Sequence, residues 1–243
     1  MAKAIEIGWC FKDNKSSSIY FDPEPNNPLK DARSITSSRL NSKTYQGVRS
    51  CPAVKSVAAK IWLARSPYTI RLRANTEGTK ISIVPIYPST EVSEEALPSI
   101  ASVEPRELWL DDKKPIIQFK MPYIFVADKP AIIHQLEAPM SSRMKNWSLI
   151  QGEIDIYNWQ RPLNFAIQWT DITQDLEIRR GDPAFQLMAS STQHNSGFTL
   201  RRINPCKDLL SRIEACEGVT SLVKNTSSLI NQPRPEGLTF LGK

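Results

Sequence analysis

The chain has 243 residues, 40% of them hydrophobic, with a formal charge of +6, four cysteines and two histidines. That length buries a substantial core without staples, and Cys10, Cys51, Cys206 and Cys216 include no Cys-x-x-Cys pair, which argues against a disulfide framework or a zinc site and for thiols in a reducing compartment. No apolar run approaches the roughly 18 residues of a spanning helix and MAKAIEIGWCFKDNK lacks a signal-peptide core, so the expectation is an unsecreted protein with no membrane partner.

Residues 1–50 read as an extended arm. A short strand at Ala4–Ile7 is followed by Trp9 and Phe11, and then by Ser16-Ser17-Ser18, DPEPNNPLKD and SITSSRLNSKT, which are loop compositions. A helix is predicted over 52–65, with Pro52 at its first position, Val54, Val57, Ala58, Ile61 and Trp62 at helical spacing, and Ser66-Pro67 as the stop. Tyr68–Ala74 and Lys80–Ile86 alternate about Asn75-Thr76-Glu77-Gly78-Thr79, a hairpin pattern. Residues 87–112 form an acidic, Pro- and Ser-bearing surface excursion with a helical turn near 91–97.

Strand patterns resume at 115–121, 122–127 and 131–137, broken by Asp128-Lys129-Pro130 and Ala138-Pro139. In the next stretch Leu163, Phe165, Ile167 and Trp169 alternate with polar neighbours, the period of a half-buried strand. Glu153, Asp155, Tyr157 and Trp159 fall on one strand face, opposite Ile154 and Ile156. Leu176–Arg180 and Pro183–Ala189 flank Arg180-Gly181-Asp182-Pro183, which reads as the turn of a hairpin. Phe198–Ile203 adds a last strand, and Asn204-Pro205 starts a helix to Cys216 with Leu209, Leu210 and Ile213 on one stripe and Gly218 beyond its end. The predicted fold is α+β and β-dominated, an antiparallel sandwich or jelly-roll-like core over about 67–203 with helices 52–65 and 205–216 packed on it. Its divisions are an arm (1–50), a core domain (51–217) and a tail (218–243).

Charge is segregated. Residues 30–75 carry ten Lys and Arg against Asp31, a net of +9, and residues 76–112 carry eight carboxylates against Lys80 and Arg106, a net of −6. The blocks suit neutralisation within one molecule or pairing with a second copy better than nucleic acid, because the basic residues are not interleaved with exposed aromatics. No cofactor is expected. There is no Walker loop, dinucleotide glycine pattern or Gly-x-Ser-x-Gly elbow. His134 shares a face with Ile132 and Leu136, as a hydrogen-bonded strand histidine would, and neither it nor His194 belongs to a His-x-Asp or His-x-Glu pair, which disfavours an iron or other metal site. Glu153 and Asp155, two apart on a strand, are a carboxylate pair that acid/base chemistry could use, although a solvated strand face beside Tyr157 and Trp159 explains them better.

In order along the chain, Cys51-Pro52-Ala53, PYTIRLRA, KPIIQFKMPYIFVAD, LIQGEIDIYNWQRPLNFAIQW and EIRRGDPAFQL together resemble an uncharacterised family of tailed phages of marine cyanobacteria and of some bacteria. Its members similarly place a Cys-Pro element before an extended segment and a Lys/Arg-Gly-x-Pro hairpin late. The resemblance covers about 50–190. It implies a phage or bacterial origin, hence host cytoplasm or virion, and a β-rich fold, and it brings no activity or catalytic residues.

The leading functional expectation is a non-enzymatic, phage-associated binding or assembly protein that contacts another protein or copies of itself. Its candidate contact residues are Trp9, Phe11, Arg39, Lys43, Arg49, Glu153, Asp155, Tyr157, Trp159, Arg179 and Arg180, with Trp9, Phe11, Tyr20 and Phe21 seated in a neighbour's groove. The alternative is an enzyme with a strand-borne site near His134, Glu153 and Asp155. A third option is nucleic-acid binding through residues 30–75.

Overall fold

A computed structural model describes residues 4–11, 25, 51–58, 60–78, 80–138, 145–192 and 197–217. In chain order its elements are β1 (Ile5–Phe11), α1 (Pro52–Ala58), β2 (Ile61–Arg65), β3 (Ile70–Glu77), β4 (Lys80–Pro85), α2 (Leu97–Ile100), β5 (Ala101–Val103), β6 (Ile116–Phe119), β7 (Tyr123–Ala127), β8 (Ile132–Leu136), β9 (Trp147–Ile150), β10 (Gly152–Asp155), β11 (Phe165–Trp169), β12 (Leu176–Ile178), β13 (Pro183–Ser190), β14 (Phe198–Arg202) and α3 (Lys207–Glu217). The fold is α+β and β-dominated, as expected. No helix among the described residues is long and apolar enough to cross a membrane.

The described strands form four sheets, ordered β14-β1-β7, β10-β8-β13-β2, β5-β6-β11-β9 and β12-β3-β4. All pairs are antiparallel except β1 with β14. Alternate residues of all four sheets meet in one apolar core: Trp9 and Phe125, Trp62 and Leu187, Phe165 and Trp169, Ile70 and Leu176. That inward period-2 pattern makes the arrangement sandwich-like. On the outer side of the first sheet, Cys10, Ile124 and Val126 take Leu209 and Ile213 of α3, so β1 and β7 are covered on both faces. The stripe predicted for 205–216 is therefore the face that docks α3.

The core begins earlier than residue 67. The arm's short strand runs on to Phe11 as the middle strand of its sheet, with Trp9 and Phe11 1% and 2% exposed. The helix predicted over 52–65 ends at Ala58, and Ile61–Arg65 is instead a strand beside β13. Ile61, Trp62, Leu63 and Ala64 are all buried. An unbroken apolar run that is covered on both faces carries no period, so a helix and a strand fit it equally.

The turn at 180–183 does not close a hairpin. Gly181 takes φ +80°, but β12 pairs with β3 while β13 pairs with β2 and β8. Gly181 N–H donates to Ser66 O at 2.9 Å and Ser66 N–H to Asp182 O at 2.9 Å. Two consecutive strands, β2–β3, thus run against β12–β13 as one ribbon that bends where Ser66 meets Gly181 and changes sheet there. The excursion 87–112 is only partly surface, since Val92, Leu97, Ile100 and Ala101 are buried and β5 pairs with β6.

Candidate functional site

β8 lies between β10 and β13, and its register places chemistry that the sequence keeps apart. Glu153 is opposite His134 on one side, and Met188 is opposite His134 on the other, with Ser190 one side-chain step further along, opposite Ile132. Ile133, Leu187 and Ala189 turn into the core. His134, Glu153, Met188 and Ser190 therefore share the outer face of the sheet. Glu153 Oε1 is 2.9 Å from His134 Nδ1, and His134 Nε2 is 2.7 Å from Ser190 Oγ. A carboxylate accepts only, so in the neutral imidazole Nδ1 carries the proton and Nε2 offers its lone pair to the Ser190 hydroxyl. The Glu153 side chain is 66% exposed and that of His134 21%, which leaves their contact open to water.

Asp155 is not part of this set. Its Oδ1 accepts from the Tyr157 and Asn158 N–H groups at 3.0 and 2.9 Å, and Oδ2 accepts from Asn158 Nδ2 at 2.8 Å. It is the residue that turns the chain out of β10. Tyr157 and Trp159 consequently do not continue the face of Glu153, because the strand has ended, and the ring of Trp159 carries the Arg161 guanidinium at 5.0 Å. The sequence-based carboxylate pair is thus divided between a histidine contact and a turn. Ser190 is the member that sequence reading missed, since only the β8–β13 register brings it to His134 across 56 residues.

Trp9 and Phe11 are core residues, 5.5 Å apart as a T-shaped pair under Arg202, and this corrects their assignment as anchors for a neighbour. Arg39, Lys43, Arg49, Tyr20, Phe21, His194 and the tail 218–243 lie outside the described residues. Arg179 forks onto Glu177 at 2.7 and 3.0 Å, and Arg180 binds Glu91 at 2.7 Å. Arg71 and Arg73 both hold Asp175 at 2.9 Å, and the Arg73 hydrogen bond first, then its charge, keep the Asp175 carboxyl below the usual carboxylate range. A phosphate would have to displace these carboxylates, which weakens the nucleic-acid option for this face. Among the described residues no group of three or more His, Cys, Asp or Glu could hold a metal.

The other distinctive surface is the edge of β4. Among the described residues β3 is its one strand neighbour. Ile86 N–H donates to Arg71 O at 2.9 Å, and the register then alternates. Ser82 and Val84 bond inward to β3, whereas the N–H and C=O groups of Ile81 and Ile83 point away from it. Pro85 stands where no inward donor is needed. The side chains of Ser82 and Val84 are exposed, and Ile83 packs against the core. The devices that blunt such an edge, a central lysine, a central proline or a bulge, are missing from the interior of β4.

No protein-family model matches the chain, and no curated protein or solved structure matches it significantly.

Proposed function

We propose that the protein is a binding or assembly protein whose role rests on contact with a second copy of itself, made edge to edge through β4. The observation that supports this reading is the outward row of Ile81 and Ile83 backbone groups on an unblunted edge strand. A two-fold axis at Ser82 sets Ile81 of one copy against Ile83 of the other. Both pairs then exchange N–H and C=O groups, about four hydrogen bonds in all, and the two three-stranded sheets become one. Val84 comes to lie beside Lys80 of the second copy.

Four backbone bonds contribute about 2–6 kcal/mol, while association costs roughly 4–15 kcal/mol. The edge by itself gives a weak, concentration-dependent dimer that forms only where the protein is concentrated. In a phage setting, where many copies sit close together, that strength suits assembly.

Ser82→Lys tests the pairing, because it sets two like charges directly opposite each other across the axis while leaving the bonds to β3 intact. Sedimentation velocity over a concentration series should show the wild-type chain dimerising as concentration rises, and Ser82→Lys remaining monomeric with an unchanged melting temperature. A wild-type chain that stays monomeric throughout, or a Ser82→Lys chain that dimerises as well as wild type, would overturn the proposal.

A further inference from the structure

We infer that Ser190 is a base-activated nucleophile that accepts an acyl group from an activated carboxylic ester, with His134 as its base and Glu153 as the group that fixes the imidazole. The site is in a different sheet from β4, and the inference is independent of the dimer. Its geometry is the two contacts already described, 2.7 Å from Ser190 Oγ to His134 Nε2 and 2.9 Å from His134 Nδ1 to Glu153 Oε1. These are the separations at which a serine hydroxyl can lose its proton as it attacks.

The step balances without any further reactant. Ser190 Oγ forms a bond to the carbonyl carbon as its proton passes to His134 Nε2. The tetrahedral adduct then expels the ester's alkoxide or phenoxide oxygen, which takes the proton from Nε2. An acyl ester remains on Ser190, and water attacking through the same imidazole releases the carboxylic acid. Glu153 stays ionised throughout and stabilises the imidazolium.

The surroundings select the acyl group. Ile132, Leu136 and Met188 are half-buried on the same face as His134, so an apolar acyl chain has surface to lie against. The N–H of Ala189, the residue before Ser190, donates to Lys60 O at 3.1 Å and is not held for an oxyanion. Reaction is therefore slow and close to stoichiometric, as suits a covalent acceptor better than a turnover catalyst.

The probe is a fluorophosphonate, with p-nitrophenyl acetate as the acyl donor, used on the full chain. Intact mass and peptide mapping should show one adduct per chain, on Ser190. Ser190→Ala and His134→Gln should abolish it, and Glu153→Gln should slow it about tenfold or more, since the tautomer is no longer held. Glu153 is exposed, so the Glu153→Gln chain folds, and its circular dichroism spectrum checks this. Absence of any adduct, an adduct elsewhere, or a rate indifferent to both His134→Gln and Glu153→Gln would overturn the inference and leave the three residues as a hydrogen-bonded strand pairing.

Discussion

Replacing Trp9 by alanine separates a core strand from a mobile arm. The side chain is 1% exposed and packs on Phe11 at 5.5 Å and Tyr123 at 6.1 Å. A buried tryptophan removes about 150–250 Å² from water, which at roughly 25 cal/mol per Å² is an upper bound of about 4–6 kcal/mol. Alanine retains part of that area. The indole N–H finds no hydrogen-bond partner among the described residues, so its removal returns about 1–2 kcal/mol. The net loss should be about 3 kcal/mol, at the low end for a buried aromatic truncated to alanine. With a urea slope of about 2–3 kcal/mol per molar, the unfolding midpoint should fall by roughly 1–1.5 M. Urea titration followed by circular dichroism measures this directly. An unchanged midpoint, with only self-association altered, would refute the placement of β1 in the core and restore Trp9 as an anchor for a neighbour.

Burial pushes the Cys10 thiol up to about 12, so a maleimide near neutral pH should leave Cys10 unmodified in the folded chain and label it in denaturant, as peptide mapping would show. Asp175→Asn removes the acceptor shared by Arg71 and Arg73 and should lower the melting temperature by a few degrees at most. Because the folded carboxyl is held low, its contribution is present above the unfolded value of about 3.9 and lost as pH falls through the folded one, so the mutant and wild-type melting curves should converge in strong acid. Ile213→Ala cuts a fully buried side chain from the contact between α3 and the outer face of β1 and β7, and should cost about 2–5 kcal/mol by urea titration.

What the sequence revealed follows from where each pattern is one-sided. Phe165, Ile167 and Trp169 face the core while their neighbours do not, and the Leu209 and Ile213 stripe has one sheet face to meet, so period alone identifies both elements. The hairpin of β3 and β4 was readable because Gly78, at φ +60°, supplies a backbone conformation that few residues adopt. β2 was hidden because both of its faces are covered. The Arg180–Pro183 turn was correctly seen as a turn, yet a local signal carries no information on which strands its arms will join, and Ser66 decides that from more than a hundred positions away. The functional surfaces were the least legible. His134 and Glu153 were candidates, but their contact, and the arrival of Ser190 beside them, are products of strand register. The edge that β4 presents among the described residues is likewise a property of sheet order, invisible in Lys80–Pro85 itself.

The claim that β4 edges pair is tested most directly by amide hydrogen exchange at single-residue resolution as a function of protein concentration. The amides of Ser82 and Val84, bonded to β3, should be protected at every dilution, whereas those of Ile81 and Ile83 should be protected in concentrated solution and exchange freely when the protein is diluted. Ile81 and Ile83 amides whose exchange does not depend on concentration would contradict it.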